Sequence, residues 1–213
     1  MKIMMIDGSP KVSKSNSEYF LSVLSNFIEG KDIVKYRLSK KLDYEKIISN
    51  IKNIDILVLA FPLYVDSLPS HVLEFLSILE DNFKEELNGI TVYVIANCGF
   101  YEGNQNKIAL KIMRCWCKKM NLKWGQGIGI GAGEMMGGLS NVPMGKGPNT
   151  SLGLALKNLA RNINERNSGE DVFTIPNMFP RFVFRLAANR FWVSKANKNG
   201  LNKKDLNKCI VKQ

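Results

Sequence analysis

The stretch MKIMMIDGSPKVSKSNS, residues 1–17, decides the fold. Ile3, Met4, Met5 and Ile6 form a short apolar run, long enough for one buried strand. Asp7, Gly8, Ser9 and Pro10 stop it, and a polar loop of Ser and Lys follows. Asn16 then opens a helical pattern carried by Tyr19, Phe20, Val23, Leu24 and Phe27. A strand that feeds a Gly/Ser loop and then a helix N-terminus builds an anion site. The first N–H groups of the helix have no internal partner, and the macrodipole favours negative charge there. Ser9, Ser13, Ser15 and Ser17 add hydroxyl donors and Lys11 and Lys14 add charge, so the expected guest is a phosphate. The competing reading is a polar loop that binds nothing, with Asn16 as an ordinary N-cap. No G-x-x-x-x-G-K-[ST] is present, and no G-x-G-x-x-G follows the first strand, so phosphoryl-transfer and dinucleotide loops of those types are excluded here.

Downstream, apolar runs and helical patterns alternate. Asp32 to Leu38 reads as a second strand and Tyr44 to Lys52 as a short helix. Ile54 to Ala60, IDILVLA, is near-continuously apolar, as suits a strand covered on both faces of a parallel sheet. It stops at FPLYVDSLP, residues 61–69, and a helix is expected from about Ser70 to Leu87. Ile90 to Ala96 is the fourth strand, ending at NCGFYEG, with a helix from Asn104 to Met120 behind it. WGQGIGI, residues 124–130, reads as a glycine-laced fifth strand. A Gly-, Met- and Pro-rich loop to Asn149 and a helix from Leu152 to Ile163 complete the alternation. The expected architecture is α/β, a five-stranded parallel sheet of order 2-1-3-4-5 with helices on both faces, flavodoxin-like, over residues 1–175. Residues 176–213 form a basic, aromatic helical extension. In such sheets ligands bind outside the carboxyl ends of the strands, at the switch point between strands one and three. That gathers the loops 8–17, 61–69 and 97–104.

Composition sets the outer bounds. The chain has 213 residues, 45% hydrophobic and 23% charged, enough for one globular domain with a sizeable core. No apolar stretch approaches the ~20 residues that span a bilayer, and no signal-peptide core precedes Asp7, so a cytoplasmic location is the default expectation. Cys98, Cys115, Cys117 and Cys209 are scattered without C-x-x-C spacing, and His71 is the one histidine. No disulfide framework, zinc site or iron–sulfur site is therefore expected, and no metal. The net charge of +11 is uneven, because residues 181–213 carry nine basic residues against one acid.

Three loops now carry a family likeness. DGSPKVSKSNS after strand one resembles the GSPR-x-x-SNT-type phosphate loop of the NADPH-dependent FMN reductases, flavodoxin-fold members of the NAD(P)H-dependent oxidoreductase group. FPLYVDSLP resembles that family's P-x-Y-x-x-x-x-P loop, and NCGFYEG stands where the family places its third flavin-contacting loop. The resemblance covers residues 1 to about 165. It implies that Ser9, Ser15, Asn16 and Ser17, with Lys11 as an added charge, hold the FMN phosphate. It implies that Pro62, Leu63 and Tyr64 line the ring and ribityl chain. Asn97, Cys98, Gly99 and Phe100 would offer backbone donors to the flavin edge, with Glu102 nearby. A planar apolar ring wants flat or apolar walls, while its polar edge wants fixed backbone partners. No side chain is assigned an acid–base role. The third loop lacks the family's Gly-Gly pair, and the tail is unusually aromatic and basic.

The implied activity is FMN-dependent oxidation of NAD(P)H, with electrons passed to a small-molecule acceptor such as a quinone, a nitro or azo compound, a free flavin or a metal ion. A flavodoxin-like carrier serving a protein partner is the alternative, and a flavin-free scaffold a third. Other features have bland readings. His71 is read as a capping or surface residue before a catalytic one, and Gly127, Gly129 and Ala132 as backbone packing. The tail is expected to be helical from about Pro180 to Gly200, with Phe182, Val183, Leu186 and Val193 on one face and Phe184 and Phe191 on another. A second copy in a homodimer is the expected cover for those aromatics. Weak contact with an anionic membrane is the alternative, and no nucleic-acid partner is expected.

Overall fold

The computed structural model describes residues 1–38 and 41–208; Cys209 lies outside the described residues. The chain runs β1 (Lys2–Asp7), α1 (Asn16–Ser25), β2 (Asp32–Arg37), α2 (Lys41–Ile51), β3 (Ile56–Pro62), α3 (Ser70–Asn82) and β4 (Thr91–Asn97). A 3₁₀ turn (Gly103–Asn106) then leads into α4 (Lys107–Lys119), β5 (Lys123–Ile130), α5 (Gly133–Gly138), α6 (Thr150–Glu165), β6 (Val172–Thr174) and α7 (Arg181–Lys198). The sheet is parallel, of order β2-β1-β3-β4-β5-β6. The expected five strands and their order are present, and the count is corrected to six. The sixth, VFT, is too short to show a period, and it pairs along only Ile128–Ile130 of β5.

The strands in the middle are apolar because both of their faces are covered. Every residue of β4 is buried, as is all of β3 but Pro62 and all of β1 but Lys2. On one face α2, α3 and α4 close over them through Ile47, Ile51, Val72, Phe75, Leu79, Met113 and Trp116. On the other, α1 packs against α5 and α6, with Phe20, Leu24, Leu152, Leu156 and Leu159 buried. The register slips between Val92 and Tyr93, where β5 carries an extra residue at Gly125. A Cβ on Gly125 would enter the ring of Tyr93. That fully buried tyrosine shares its one hydroxyl proton between the carbonyls of Asn162 and Asn167, at 2.9 and 2.8 Å. Burial pushes its phenol up to about 12.

One helix ends well short of expectation. α3 ends at Asn82, not Leu87, because Phe83 leaves helical geometry at φ −134°. Leu87 is nonetheless fully buried, which is why its spacing from Leu79 reads as helical. The loop after β5 also contains the unexpected helix α5, built from GEMMGG.

The chain divides into two compact units, Met1–Asn177 and Met178–Gln213. In the second, α7 follows Pro180 as N-cap, and Gly200 takes the left-handed conformation (φ +74°) just past its end. Phe182, Leu186, Phe191 and Trp192 are exposed, Phe182 by 64% and Trp192 by 55%, while Val183, Phe184 and Val193 are half-buried. Lys195 Nζ lies 4.6 Å from the Phe191 ring centroid. No helix among the described residues is long and apolar enough to cross a membrane.

Candidate functional site

β1, β3 and β4 all release their loops at the same end of the sheet, and one side chain ties these loops together. Asn97, the last residue of β4, is 5% exposed. Its Nδ2 donates to Ser17 Oγ on α1 at 2.9 Å and to the Phe61 carbonyl on β3 at 3.0 Å. Its carbonyl accepts from Leu63 N at 2.8 Å. Asn97 therefore acts through its side chain, holding the first and third loops at fixed separation, rather than as a free backbone donor.

The first loop is organised by Asp7, a residue the sequence reading used only as a strand terminator. Its buried carboxylate accepts from Ser9 N at 3.0 Å and from Ser15 Oγ at 2.9 Å. Burial pushes its carboxyl above the usual range; the bonds from Ser9 and Ser15 and the Arg37 guanidinium oppose that rise, and Glu18 adds to it. Ser15 is the N-cap of α1, and its Oγ accepts from Glu18 N at 2.9 Å. The proton of its hydroxyl is thus given to Asp7, so Ser15 caps the helix and cannot donate that proton to a guest at the same time. Ser17 differs. It is 1% exposed and its oxygen accepts from Asn97, leaving its own hydroxyl proton available. Ser9 Oγ likewise accepts, from Lys11 N at 3.4 Å, and keeps its proton. Among the described residues, the N–H groups of residues 12–17 find no protein acceptor. Lys11 is exposed beside them, and Asn16 lies against Gly137 of α5. A row of open amides at a helix start, with two buried hydroxyls to add, fits a phosphate group.

The second loop folds into a tight hairpin. Tyr64 N donates to Ser67 O at 3.0 Å and Ser67 N to Tyr64 O at 2.9 Å. Val65 and Asp66 between them both have positive φ, +48° and +58°, the type I′ pattern. A β-branched residue is disfavoured there, and Val65 stands at the exposed tip. Tyr64 is 46% exposed, and Pro62 and Leu63 are half-buried.

In the third loop Cys98 is committed to the protein. Its N–H donates to Ile130 O at 3.0 Å and its carbonyl accepts from Gly133 N at 2.7 Å. Its sulfur is buried, with Asn106 Nδ2 at 3.4 Å. Gly99 and Phe100 are the donors left over, since their N–H groups meet no protein acceptor among the described residues. Phe100 is 57% exposed, and Glu102 precedes the 3₁₀ turn that carries the chain to α4. Burial pushes the Cys98 thiol up, and Cys117 up to about 12. Alkylation at mildly alkaline pH should therefore modify the exposed Cys115 well before Cys98 or Cys117, read by peptide mass mapping. Equal labelling of Cys98 would contradict its placement.

His71 is half-buried in the first turn of α3, and burial lowers its pKa. The backbone of Gly8 and of Leu38 opposes that fall, and no side-chain hydrogen bond caps α3. Arg37 was missed as well. It is the direct register partner of Asp7 on the neighbouring strand, a pairing that the expected strand order already implied. Gly127 and Gly129 do serve packing, since side chains there would meet Leu110 and Phe173.

No family model matches the sequence, and no curated protein matches it. Solved structures do resemble its fold. An apo NADH:FMN oxidoreductase (EMOB) superposes with a TM-score of 0.61 at 18% identity, covering 79% of this chain and 91% of that one. An NADPH-quinone reductase from P. pentosaceus gives 0.59 at 15% identity, covering 75% and 98%. An FMN-dependent NADH-azoreductase from Bacillus anthracis, in complex with FMN, gives 0.52 at 14% identity, covering 78% and 98%. At these identities the likeness is one of fold, the flavodoxin-like arrangement.

Proposed function

We propose that the chain is an FMN-dependent NAD(P)H oxidoreductase acting on a small-molecule acceptor. The observation that carries this is the row of unpartnered amides at residues 12–17 beside the free hydroxyl of Ser17, on the same sheet end as Tyr64 and Phe100. That pairing offers an anion cradle and aromatic surface at the switch point, where flavodoxin-like sheets place a mononucleotide. The neighbours' printed activities support the same choice. When bound, FMN supplies hydride and electron-transfer chemistry. The protein's residues orient and tune. Ser9, Asn16, Ser17 and the loop amides hold the phosphate with Lys11 as added charge, and Ser15 and Asn97 keep that cradle in shape. Pro62, Leu63 and Tyr64 border the ring, Gly99 and Phe100 donate to its polar edge, and Cys98 and Glu102 shape that loop from behind. No side chain is required as acid or base for the first hydride transfer.

Replacing Asn16 and Ser17 together by Ala should weaken FMN binding by about 1 kcal/mol per hydrogen bond lost. Equilibrium titration checks this, and unchanged affinity would remove the phosphate assignment. Donor and acceptor would share the one open face beside Tyr64, so steady-state rates at several acceptor concentrations should give parallel double-reciprocal lines. Tyr64→Ala should slow turnover while leaving the melting temperature in place. Intersecting lines would count against a shared site. The electron-carrier alternative is not favoured, since flavodoxin-type carriers are expected to be strongly acidic and this chain carries +11.

The tail completes the proposal. Phe182 and Leu186 on one face of the helix, Phe191 on another and Trp192 are all exposed, and that apolar surface needs cover. The cover proposed is a second copy, because basic residues ring the helix instead of forming the single polar face of a membrane-lying helix. Sedimentation of the full chain should show a dimer that Phe191→Ser/Trp192→Ser weakens. A monomer in both cases would exclude it.

A further inference from the structure

Arg37, the last residue of β2, reaches across to the anion loop from the neighbouring strand. Its guanidinium has three described partners, all on that loop, the strand before it or the helix after it. Nη1 donates to the Val12 carbonyl at 2.9 Å, Nη2 to the Glu18 carboxylate at 2.6 Å, and Nε lies 3.6 Å from Asp7 Oδ2. Two physical consequences follow. First, Asp7 and Glu18 are carboxylates within the cradle itself, one buried beneath the loop and one in the first turn of α1. Both would repel a phosphate held by the amides of residues 12–17, and like charges at such range oppose one another strongly in a partly buried setting. Arg37 is the cation placed between them. Second, a trans peptide holds its C=O and the following N–H in opposite directions. A bond from Arg37 to the Val12 carbonyl therefore fixes the Ser13 N–H to face away from Arg37. One N–H on each of Nη1 and Nη2 is committed to the protein and Nε faces Asp7, so the role these contacts describe is exerted through the loop.

We propose that Arg37 is a positioning residue for the phosphate end of the bound flavin, screening Asp7 and Glu18 and fixing the Val12–Ser13 peptide. The proposal rests on the functional reading above. It predicts a selective effect, because riboflavin lacks the phosphate and should be indifferent to Arg37. In full-length protein, Arg37→Gln should lose at least tenfold in FMN affinity while riboflavin affinity stays within about threefold, by fluorescence quenching titration. Arg37→Lys, which keeps the charge without the fork, should fall between wild type and Arg37→Gln. Adding Glu18→Gln to Arg37→Gln should recover part of the FMN affinity, since it removes a charge that needed screening; a merely structural role gives no such rescue. Wild-type FMN affinity in Arg37→Gln would overturn the proposal, as would equal losses for FMN and riboflavin. If Arg37→Gln does not fold, Arg37→Lys decides by the same ratio. Should wild type bind neither flavin, the functional reading fails first and takes this proposal with it.

Discussion

Gly103→Ala should lower stability by about 3 kcal/mol, the upper end of the range for overpacking a close-packed site. A Cβ at Gly103 would stand 2.6 Å from Thr174 O and 2.8 Å from Thr174 N, and closer still to Gly129 O. These are backbone atoms of β5 and β6, so no rotamer change relieves the clash. The strands or the loop must move, and the loop is the one that carries Gly99 and Phe100. For a chain of this size, about 3 kcal/mol corresponds to a fall in melting temperature of roughly 6–12 °C. Thermal unfolding followed by circular dichroism measures it. An unchanged midpoint would contradict the close passage of the third loop over the sheet edge. Flavin binding should weaken in the folded fraction, because the amides proposed as donors to the ring edge, Gly99 and Phe100, lie on the loop that must shift.

Asn97→Ala should cost about 2–4 kcal/mol and loosen the site at the same time. Two buried hydrogen bonds disappear, those to Ser17 Oγ and to the Phe61 carbonyl. Each is worth about 1 kcal/mol net, and more where a buried partner is left unsatisfied. The backbone bond from Leu63 N to Asn97 O survives, so the strand end should hold while the side-chain tie between loops is lost. Ser17 then has no partner fixing its hydroxyl, and FMN affinity should fall with the stability. Asn97→Asp replaces the donor with a carboxylate facing a carbonyl oxygen, and should be at least as damaging at neutral pH. Its carboxyl would have a raised pKa in the folded state, so the deficit would shrink as the pH falls through that value and the protonated oxygen regains a donor. Urea unfolding of both variants tests this. A wild-type midpoint in Asn97→Ala would remove Asn97 from its central place.

Sequence reading works where burial leaves a one-dimensional trace. β1, β3 and β4 are covered on both faces, so each appears as an uninterrupted apolar run, and alternation with helices then gives the parallel order. β6 leaves almost no trace, having three residues. α5 is hidden for a different reason. Its glycines are poor helix formers, and it forms where Gly133 N meets the Cys98 carbonyl and Met136 N the Ala132 carbonyl. The three loops were legible as loops, because they end the right strands. The division of labour within them was not. Ser15 and Ser17 are alike in sequence, two residues apart, yet one gives its proton to Asp7 and the other retains it. That difference depends on Asp7 and Asn97, which are 90 residues apart in sequence and meet only through the sheet. Arg37 belongs to the same class, visible only once β2 is laid beside β1.

The central claim is that the switch-point loops bind FMN and let NAD(P)H reduce it. The most direct measurement is the absorption spectrum of the purified full-length protein, supplied with FMN and freed of excess, before and after anaerobic addition of NADPH or NADH. The account predicts a flavin spectrum at one FMN per chain that bleaches on adding the nucleotide and returns with an added acceptor. A colourless protein that retains no FMN, or a bound flavin that neither nucleotide bleaches, would contradict it.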